Sequence, residues 1–229
     1  MAEKVEKGEQ AIEDVEIALV KTGDFFENHK SLIIGIVAVI VIAVVGFFGF
    51  KYLYLAPKEK TAAEEMFIAQ RYFEMDSLTV ALNGDGQHAG MLEIADRYGM
   101  TQSGKLANYY AGLAYLHQGQ FEDAVAYLKK FKTKDPVLSV LSCQVLGDAY
   151  LELEQTEKAL EAYTKGISRS ANEIITPALI MRAAMVHETL QQYEKALNLY
   201  QKLRTDFPMS REAADIDRYI ARMNAKLGK

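Results

Sequence analysis

The sequence predicts an all-α protein: a single N-terminal transmembrane helix followed by an α-solenoid of three clear repeats, a degenerate first hairpin and a C-terminal capping helix. Three observations support this fold class. The chain of 229 residues contains only 15 Gly and 4 Pro, so residues that interrupt helices are few. One long stretch has no polar side chain, and a helix–turn–helix pattern recurs along the second half of the chain.

The apolar stretch runs from Leu32 to Phe50 and contains only apolar residues and Gly. As a helix it spans about 28 Å, close to the hydrocarbon thickness of a bilayer. A buried core helix would include polar residues, and a signal peptide would be shorter and end at small residues, whereas this stretch ends in phenylalanines. We therefore predict an uncleaved membrane anchor. The predicted boundaries are a tail over 1–30, a transmembrane helix over 31–55 and a linker over 56–61.

The flanks of the anchor leave its orientation and the role of the tail open. Two Lys lie within residues 11–30 and three within residues 51–70, so the positive-inside rule does not decide the orientation. The acidic tail carries a narrow apolar stripe at Ile12, Val15 and Leu19. This stripe is either a docking helix for a partner or part of a solvated, partly helical tail.

The repeats are centred on Ala124, Ala159 and Ala196, which lie 35 and 37 residues apart. This spacing is close to the 34 residues of a tetratricopeptide repeat (TPR), a pair of antiparallel helices. A Gly stands twelve residues before the first two of these alanines, and a large residue stands four residues after each. These positions are Gly112 and Gly147, and Leu128, Tyr163 and Tyr200. The predicted repeats span 105–138, 140–173 and 177–210.

Around these repeats the pattern is weaker, and the whole TPR domain is predicted over residues 62–229. Residues 62–82 read as one helix that NGDG at 83–86 ends, and a short helix at 89–98 completes a degenerate hairpin over 62–99. At the other end, Ser210 is placed to cap a final helix that extends to Lys226. This capping helix, predicted over 211–227, has a stripe of apolar residues: Ala213, Ile216, Ile220 and Met223.

The order of tail, anchor and repeats resembles the bacterial membrane-anchored TPR family that includes the ancillary subunit of the SecYEG translocon. ALNGDG at Ala81–Gly86 and GKLANYYAGLAYL at Gly104–Leu116 resemble the Bacteroidetes version of that family. The resemblance implies a protein of the bacterial inner membrane with a cytoplasmic N-terminus and a periplasmic TPR domain. It also implies association with the translocon and with periplasmic chaperones. It implies no catalytic residue.

The sequence offers no candidate catalytic, cofactor-binding or metal site, so we predict that the protein is not an enzyme. The four His and the single Cys, Cys143, lack the spacing of metal ligands. A calcium loop that starts at Asn83 would place Ile94 where an acidic ligand is required. The net charge of −5 gives no general attraction to nucleic acid. The Lys run at 129–134 reads as a solvated helix face, with contact to anionic lipid or an acidic partner as the alternative.

The remaining candidate site is the groove that the first helices of stacked repeats line. The predicted groove residues are Leu106, Tyr109, Leu113, Leu116, His117, Gln144, Asp148, Leu151, Met181 and Met185. Tyr109 and Leu113 replace the Lys and Asn with which chaperone-binding TPR domains hold a terminal carboxylate, so that ligand is not expected. Leu, Tyr and Met suit an amphipathic helix or an unfolded segment. Alternatively, residues 62–82 of the chain itself cover part of the groove.

These observations predict a membrane-anchored scaffold that binds polypeptide partners through the groove and inserts residues 32–50 into the membrane. The partners expected are translocon subunits, periplasmic chaperones or unfolded polypeptide, with no nucleic acid. Two alternatives remain open at this point. One is a structural scaffold for envelope or division assembly that includes homo-oligomers, and the other is an adaptor whose TPR domain faces the cytoplasm.

Overall fold

The computed structural model describes residues 29–169 and 173–229, apart from the side chain of Ile33. The chain forms two compact units, Met1–Ala56 and Pro57–Lys229. The described residues contain helices and no β-strand. This result confirms the predicted all-α class. The tail stripe at Ile12, Val15 and Leu19 lies outside the described residues.

The described part of the first unit consists of helix α1 (Lys30–Gly49) and a π-helical segment (Phe50–Leu55). Among the described residues, the helical stretch that starts at Lys30 is the one long and apolar enough to cross a membrane, by length and composition alone. Its large apolar side chains are exposed. Aromatic rings stack at its end, with Phe50 and Tyr54 5.2 Å apart between ring centroids. The single N-terminal apolar helix is therefore present as predicted.

The second unit starts with α2 (Ala56–Glu74) and α3 (Leu78–Asn83). Residues 56–61, predicted to be a linker, are helical and belong to α2, which includes Pro57. The predicted single helix over 62–82 is wrong, because Asp76 adopts a left-handed conformation with a φ of 58° and reverses the chain. The backbone N–H of Ser77 closes this turn by donating to the Tyr72 carbonyl.

This turn makes α2 and α3 a truncated repeat of their own. Asp76 is followed five residues later by Ala81, just as Gly119 is followed by Ala124, and both alanines are fully buried. Helix α3, which contains Ala81, ends at Asn83, and the next residue, Gly84, has a φ of 87°. The short helix predicted at 89–98 is present as α4 (Met91–Arg97), and it packs in the same core as α2 and α3.

Three complete helix pairs follow, and in each pair we call the first helix A and the second helix B. They are α5 (Gln102–His117) and α6 (Phe121–Lys130), α7 (Pro136–Glu152) and α8 (Thr156–Arg169), and α9 (Thr176–Thr189) and α10 (Tyr193–Asp206). Two residues after the end of each helix A stands a residue with positive φ: Gly119, Glu154 and Gln191. The next residue donates its N–H to a carbonyl five positions back, so the three turns are alike.

The repeats stack because each hydrophobic core is shared between neighbouring helix pairs. One cluster joins Tyr109 on α5 to Val145 on α7, and the next joins Val140 on α7 to Leu179 on α9. Within a pair, a Cβ on Gly112 would lie 2.5 Å from Cγ of Leu128 on helix B. The small residues that the sequence pattern identified are therefore where the two helices approach most closely.

The C-terminal cap is a 3₁₀ turn, Arg211–Ala213, followed by α11 (Ile216–Lys226). Oγ of Ser210 accepts a hydrogen bond from the Ala213 N–H at 3.2 Å. Ser210 therefore caps the 3₁₀ turn, whereas the final helix begins at Ile216. All four residues of the predicted apolar stripe are buried in one cluster with α9 and α10: Ala213, Ile216, Ile220 and Met223. This packing closes the last repeat.

Candidate functional site

The first repeat contributes five predicted groove residues: Tyr109 is buried, Leu106, Leu113 and Leu116 are half-buried, and His117 is exposed. Tyr109 is only 7% exposed, and its ring lies 5.3 Å from the ring of Phe131, between centroids. Leu113 and Leu116 are partly buried against the core that α5 shares with α7. The apolar character of this part of helix A therefore serves repeat stacking to a large extent.

The chain's own α2 packs beside two of these residues. The ring of Phe73 lies 5.7 Å from the ring of His117 and 5.5 Å from that of Tyr110, between centroids. Leu106 packs against the core that includes α2. Helix α2 is further tied to α5 because the Glu59 carboxylate accepts hydrogen bonds from Ser103. Helix α2 thus packs against α5 beside His117, which stays exposed.

None of the predicted groove residues of the second and third repeats is fully buried. Gln144, Asp148, Leu151 and Met181 are half-buried, and Met185 is 49% exposed. Met185 therefore presents the largest apolar surface among the predicted groove residues of these two repeats. Methionine adapts its shape to varied apolar partners, so this position fits a polypeptide contact.

Two charged pairs flank Met185 and connect consecutive repeats. Asp148 accepts hydrogen bonds from the Tyr163 hydroxyl at 2.6 Å and from Nε of Arg182 at 3.0 Å. Glu188 accepts from the Tyr200 hydroxyl at 3.1 Å and from a terminal nitrogen of Arg222 at 2.6 Å. In both cases the acid lies on helix A, the tyrosine on helix B of the same pair, and the arginine on the next helix.

These pairs hold two tyrosines in the neutral form. Burial raises the pKa of the Tyr163 hydroxyl, and the carboxylate of Asp148, which accepts a hydrogen bond from it, raises that pKa further. Burial and Glu188 raise the pKa of Tyr200 in the same way. From the sequence, Tyr163 and Tyr200 are recognisable only as residues that pack between repeats. Asp148 and Glu188, which accept these hydrogen bonds, could be recognised from the sequence only as acidic residues on helix A of the second and third repeats.

The helix A surface is suited to binding, and the titratable side chains described above form hydrogen bonds within the fold. Within residues 29–169 and 173–229, no three His, Cys, Asp or Glu side chains are grouped as metal ligands would be. Cys143 is buried, and burial raises the pKa of its thiol, so it is a poor nucleophile. Nδ1 of His187 lies 2.8 Å from Oε1 of Gln192, within hydrogen-bond distance. Nδ1 of His88 lies 3.0 Å from Oδ2 of Asp85.

Antiparallel helix pairs that stack through shared cores define a class of protein, the α-solenoid repeat proteins. Residues 106–136 and 178–210 match one family model described as tetratricopeptide repeat, and residues 141–173 match another with the same description. Residues 106–136, 141–173 and 178–210 therefore form three tetratricopeptide repeats.

Solved structures share this fold at low sequence identity. The chain aligns with the crystal structure of MamA protein with a TM-score of 0.59 and 17% identity, covering 74% of this chain and 84% of MamA. It aligns with the TPR-like repeats of a Podosopora anserina putative kinesin light chain with a TM-score of 0.56 and 17% identity, covering 74% and 89% of the two chains. No curated protein matches the sequence.

Proposed function

We propose that this protein is a membrane-anchored scaffold that binds polypeptide partners through the helix A surface of its second and third repeats. TPR domains typically bind proteins, and they are generally scaffolds without enzymatic activity. The observation that carries the proposal is the exposed Met185 between the Asp148–Arg182 and Glu188–Arg222 pairs. This surface has an apolar centre with charges on both sides.

An amphipathic helix or extended segment is the partner that fits this surface. Its apolar side chains would pack on Met185, and its polar groups would hydrogen bond to the partly exposed charged pairs. Since Asp148 and Glu188 are already paired, the surface carries little net charge and does not select strongly for one sign. Binding would therefore tolerate varied sequences, as a chaperone or translocon accessory requires.

The anchor brings this surface close to a membrane. Helix α1 inserts into the inner membrane through residues 32–50, and Lys51, Tyr52 and Tyr54 lie at the headgroups of one side. On the resemblance of the sequence to the SecYEG-associated family, we place the N-terminus in the cytoplasm and the repeats in the periplasm. The partners proposed are translocon subunits, periplasmic chaperones or emerging unfolded polypeptide.

Site-specific crosslinking in the native host tests the proposal. A photo-crosslinking amino acid at position 185 should capture translocon subunits, chaperones or their clients. The same probe at position 209 is the matched control, because Met209 is 95% exposed and lies in the loop after α10. Met185→Glu should abolish capture by a probe at the neighbouring position 181, whereas Met209→Glu should preserve it.

Three outcomes would contradict the proposal. Equal capture at positions 185 and 209 would mean that the helix A surface is not the binding site. Capture of only a second copy of this chain would favour the homo-oligomeric scaffold. A reporter fused after Lys229 that is active only in the cytoplasm would place the repeats on the other side of the membrane.

A further inference from the structure

A second concave surface lies between the two B helices α6 and α8. It is a cleft of about 460 Å³, which we call the basic cleft. Its walls are the end of α6 with the loop after it, and the outer face of α8, while α7 forms the floor. Five of its lining side chains are cationic: Lys129, Lys132, Lys158, Lys165 and Arg169. Glu161 is the acid among the lining residues.

The cations of the basic cleft have no carboxylate partner among the described residues. Seven ion pairs occur in the described part of the chain, and none of them includes a cation of the cleft. Lys158 donates to Oε1 of Gln155, and Arg169 donates to the Ser139 carbonyl, so two of the five are held in place by neutral acceptors. The whole chain has a net charge of −5, so this local excess of positive charge runs against the overall composition.

The floor of the cleft is apolar. On α7, Leu146 is half-buried and Cys143 is 5% exposed, and Ala162 on the adjoining face of α8 is also 5% exposed. A ligand that fills the cleft therefore meets cations on its two sides and an apolar surface beneath. This combination distinguishes the cleft from a solvated lysine face, which has no concave apolar centre.

The basic cleft is separate from the helix A surface. At 100° per residue, the midpoint between Leu146 and Tyr150 of the cleft lies roughly 150° around the axis of α7 from the midpoint between Asp148 and Leu151 of the predicted groove. A ligand in the cleft therefore does not compete with a partner on the helix A surface.

We propose that the basic cleft binds an acidic polypeptide segment, with carboxylates of the segment paired to lysines on both walls and an apolar side chain on the floor. Charge complementarity carries this assignment, because five closely spaced cations repel one another and an anionic segment relieves that repulsion. Lysine offers a compact charge with three rotatable donors on a flexible stem, which matches carboxylates at varied spacing along a flexible segment.

An anionic membrane fits the same cations less well. A bilayer surface is flat on the scale of the cleft, so headgroups would reach the rims of the walls and leave the apolar floor empty. A peptide enters the cleft and covers the floor. We therefore expect the negative charges bound in the cleft to belong to a polypeptide segment, and the experiment distinguishes this ligand from anionic lipid.

Fluorescence anisotropy on the full-length protein in zwitterionic nanodiscs tests this inference. The probe is a short fluorescein-labelled peptide of alternating Glu and Leu, and its control has Lys in place of Glu. The acidic peptide should bind and weaken as salt is raised, while the basic peptide should not bind. Lys129→Glu combined with Lys165→Glu should weaken binding by about tenfold or more.

The matched control is Lys195→Glu with Lys226→Glu, which changes the net charge equally at exposed sites away from the cleft and should leave binding unchanged. Lys129→Gln with Lys165→Gln should weaken binding less than charge reversal, and circular dichroism checks the fold of each variant. Absence of acidic-peptide binding, or equal loss in cleft and control variants, would overturn the inference. So would cleft-dependent binding to phosphatidylserine vesicles without peptide binding. Neither result bears on crosslinking at position 185.

Discussion

Gly147 on α7 is the residue whose replacement tests the packing of a repeat most directly. A Cβ at this position would lie 2.3, 2.6 and 2.8 Å from three ring atoms of Tyr163. The ring has no free space to move into, because Tyr163 is fully buried and its hydroxyl donates to Asp148 at 2.6 Å. To reach ordinary van der Waals contact, the ring or the helix must shift by about 1 Å.

The expected cost follows from two opposing effects. Replacing Gly by Ala inside a helix stabilises it by about 1 kcal/mol when the side chain meets nothing. Forcing an extra carbon into a packed core costs about 1–3 kcal/mol, and the held ring puts this site at the upper end of that range. Gly147→Ala should therefore reduce the free energy of unfolding by about 2 kcal/mol. For a domain of this size, Tm should fall by about 4–8 °C.

Thermal and urea unfolding of the full-length protein in detergent, followed by far-UV circular dichroism, measure this loss. Tyr163→Leu provides the second half of a double-mutant cycle, because it removes the ring that the new methyl group would meet. In the Tyr163→Leu background, Gly147→Ala should be neutral or stabilising. An equal loss of Tm in both backgrounds, or a gain in the wild-type background, would refute the close approach of the two helices.

Two further predictions concern α5 and its stability. Glu59→Ala removes the carboxylate that accepts from the Ser103 N–H at the start of α5, so unfolding should become easier by about 1 kcal/mol, whereas Glu64→Ala, exposed on the same helix, should change little in the same urea titration. Burial raises the pKa of Tyr109 to about 12. The phenol of Tyr109 titrates near pH 10 in the unfolded chain. Tyr109 therefore contributes its full stabilisation below about pH 10, and the free energy of unfolding should decrease as the pH rises toward 12. Tyr109→Phe should make that fall shallower, and an unchanged slope would contradict the assignment.

The sequence revealed three of the helix pairs because their small and large residues recur at fixed offsets. The truncated pair α2–α3 was not recognised, since its apolar spacing continues through the turn at Asp76. A weaker signal was present: Ala81 follows Asp76 at the same offset as Ala124 follows Gly119. Glu154 and Gln191 adopt the same left-handed conformation in later turns, so the residue type at this position does not by itself reveal a turn.

The polar contacts between repeats could not be predicted from local patterns. Arg182 and Arg222 each reach an acid 34 residues earlier in the chain. The basic cleft likewise combines a lysine run on α6 with cations on α8, and the run by itself reads as a solvated face. The spacing of residues along the sequence shows on which face of a helix a residue lies. Which side chain it meets on a neighbouring helix depends on how the complete repeats stack.

The sequence by itself determined the apolar helix, the repeat spacing and the positions of closest helix approach, because each depends on periodicity along one or two adjacent helices. Tertiary structure decided which predicted groove residues remain available. Tyr109 and Met185 both lie on helix A, yet Tyr109 is 7% exposed and Met185 is 49% exposed. Phe131, in the loop before the next repeat, packs on Tyr109, and this contact contributes to the difference. Burial is a property of the stack, which no single repeat encodes.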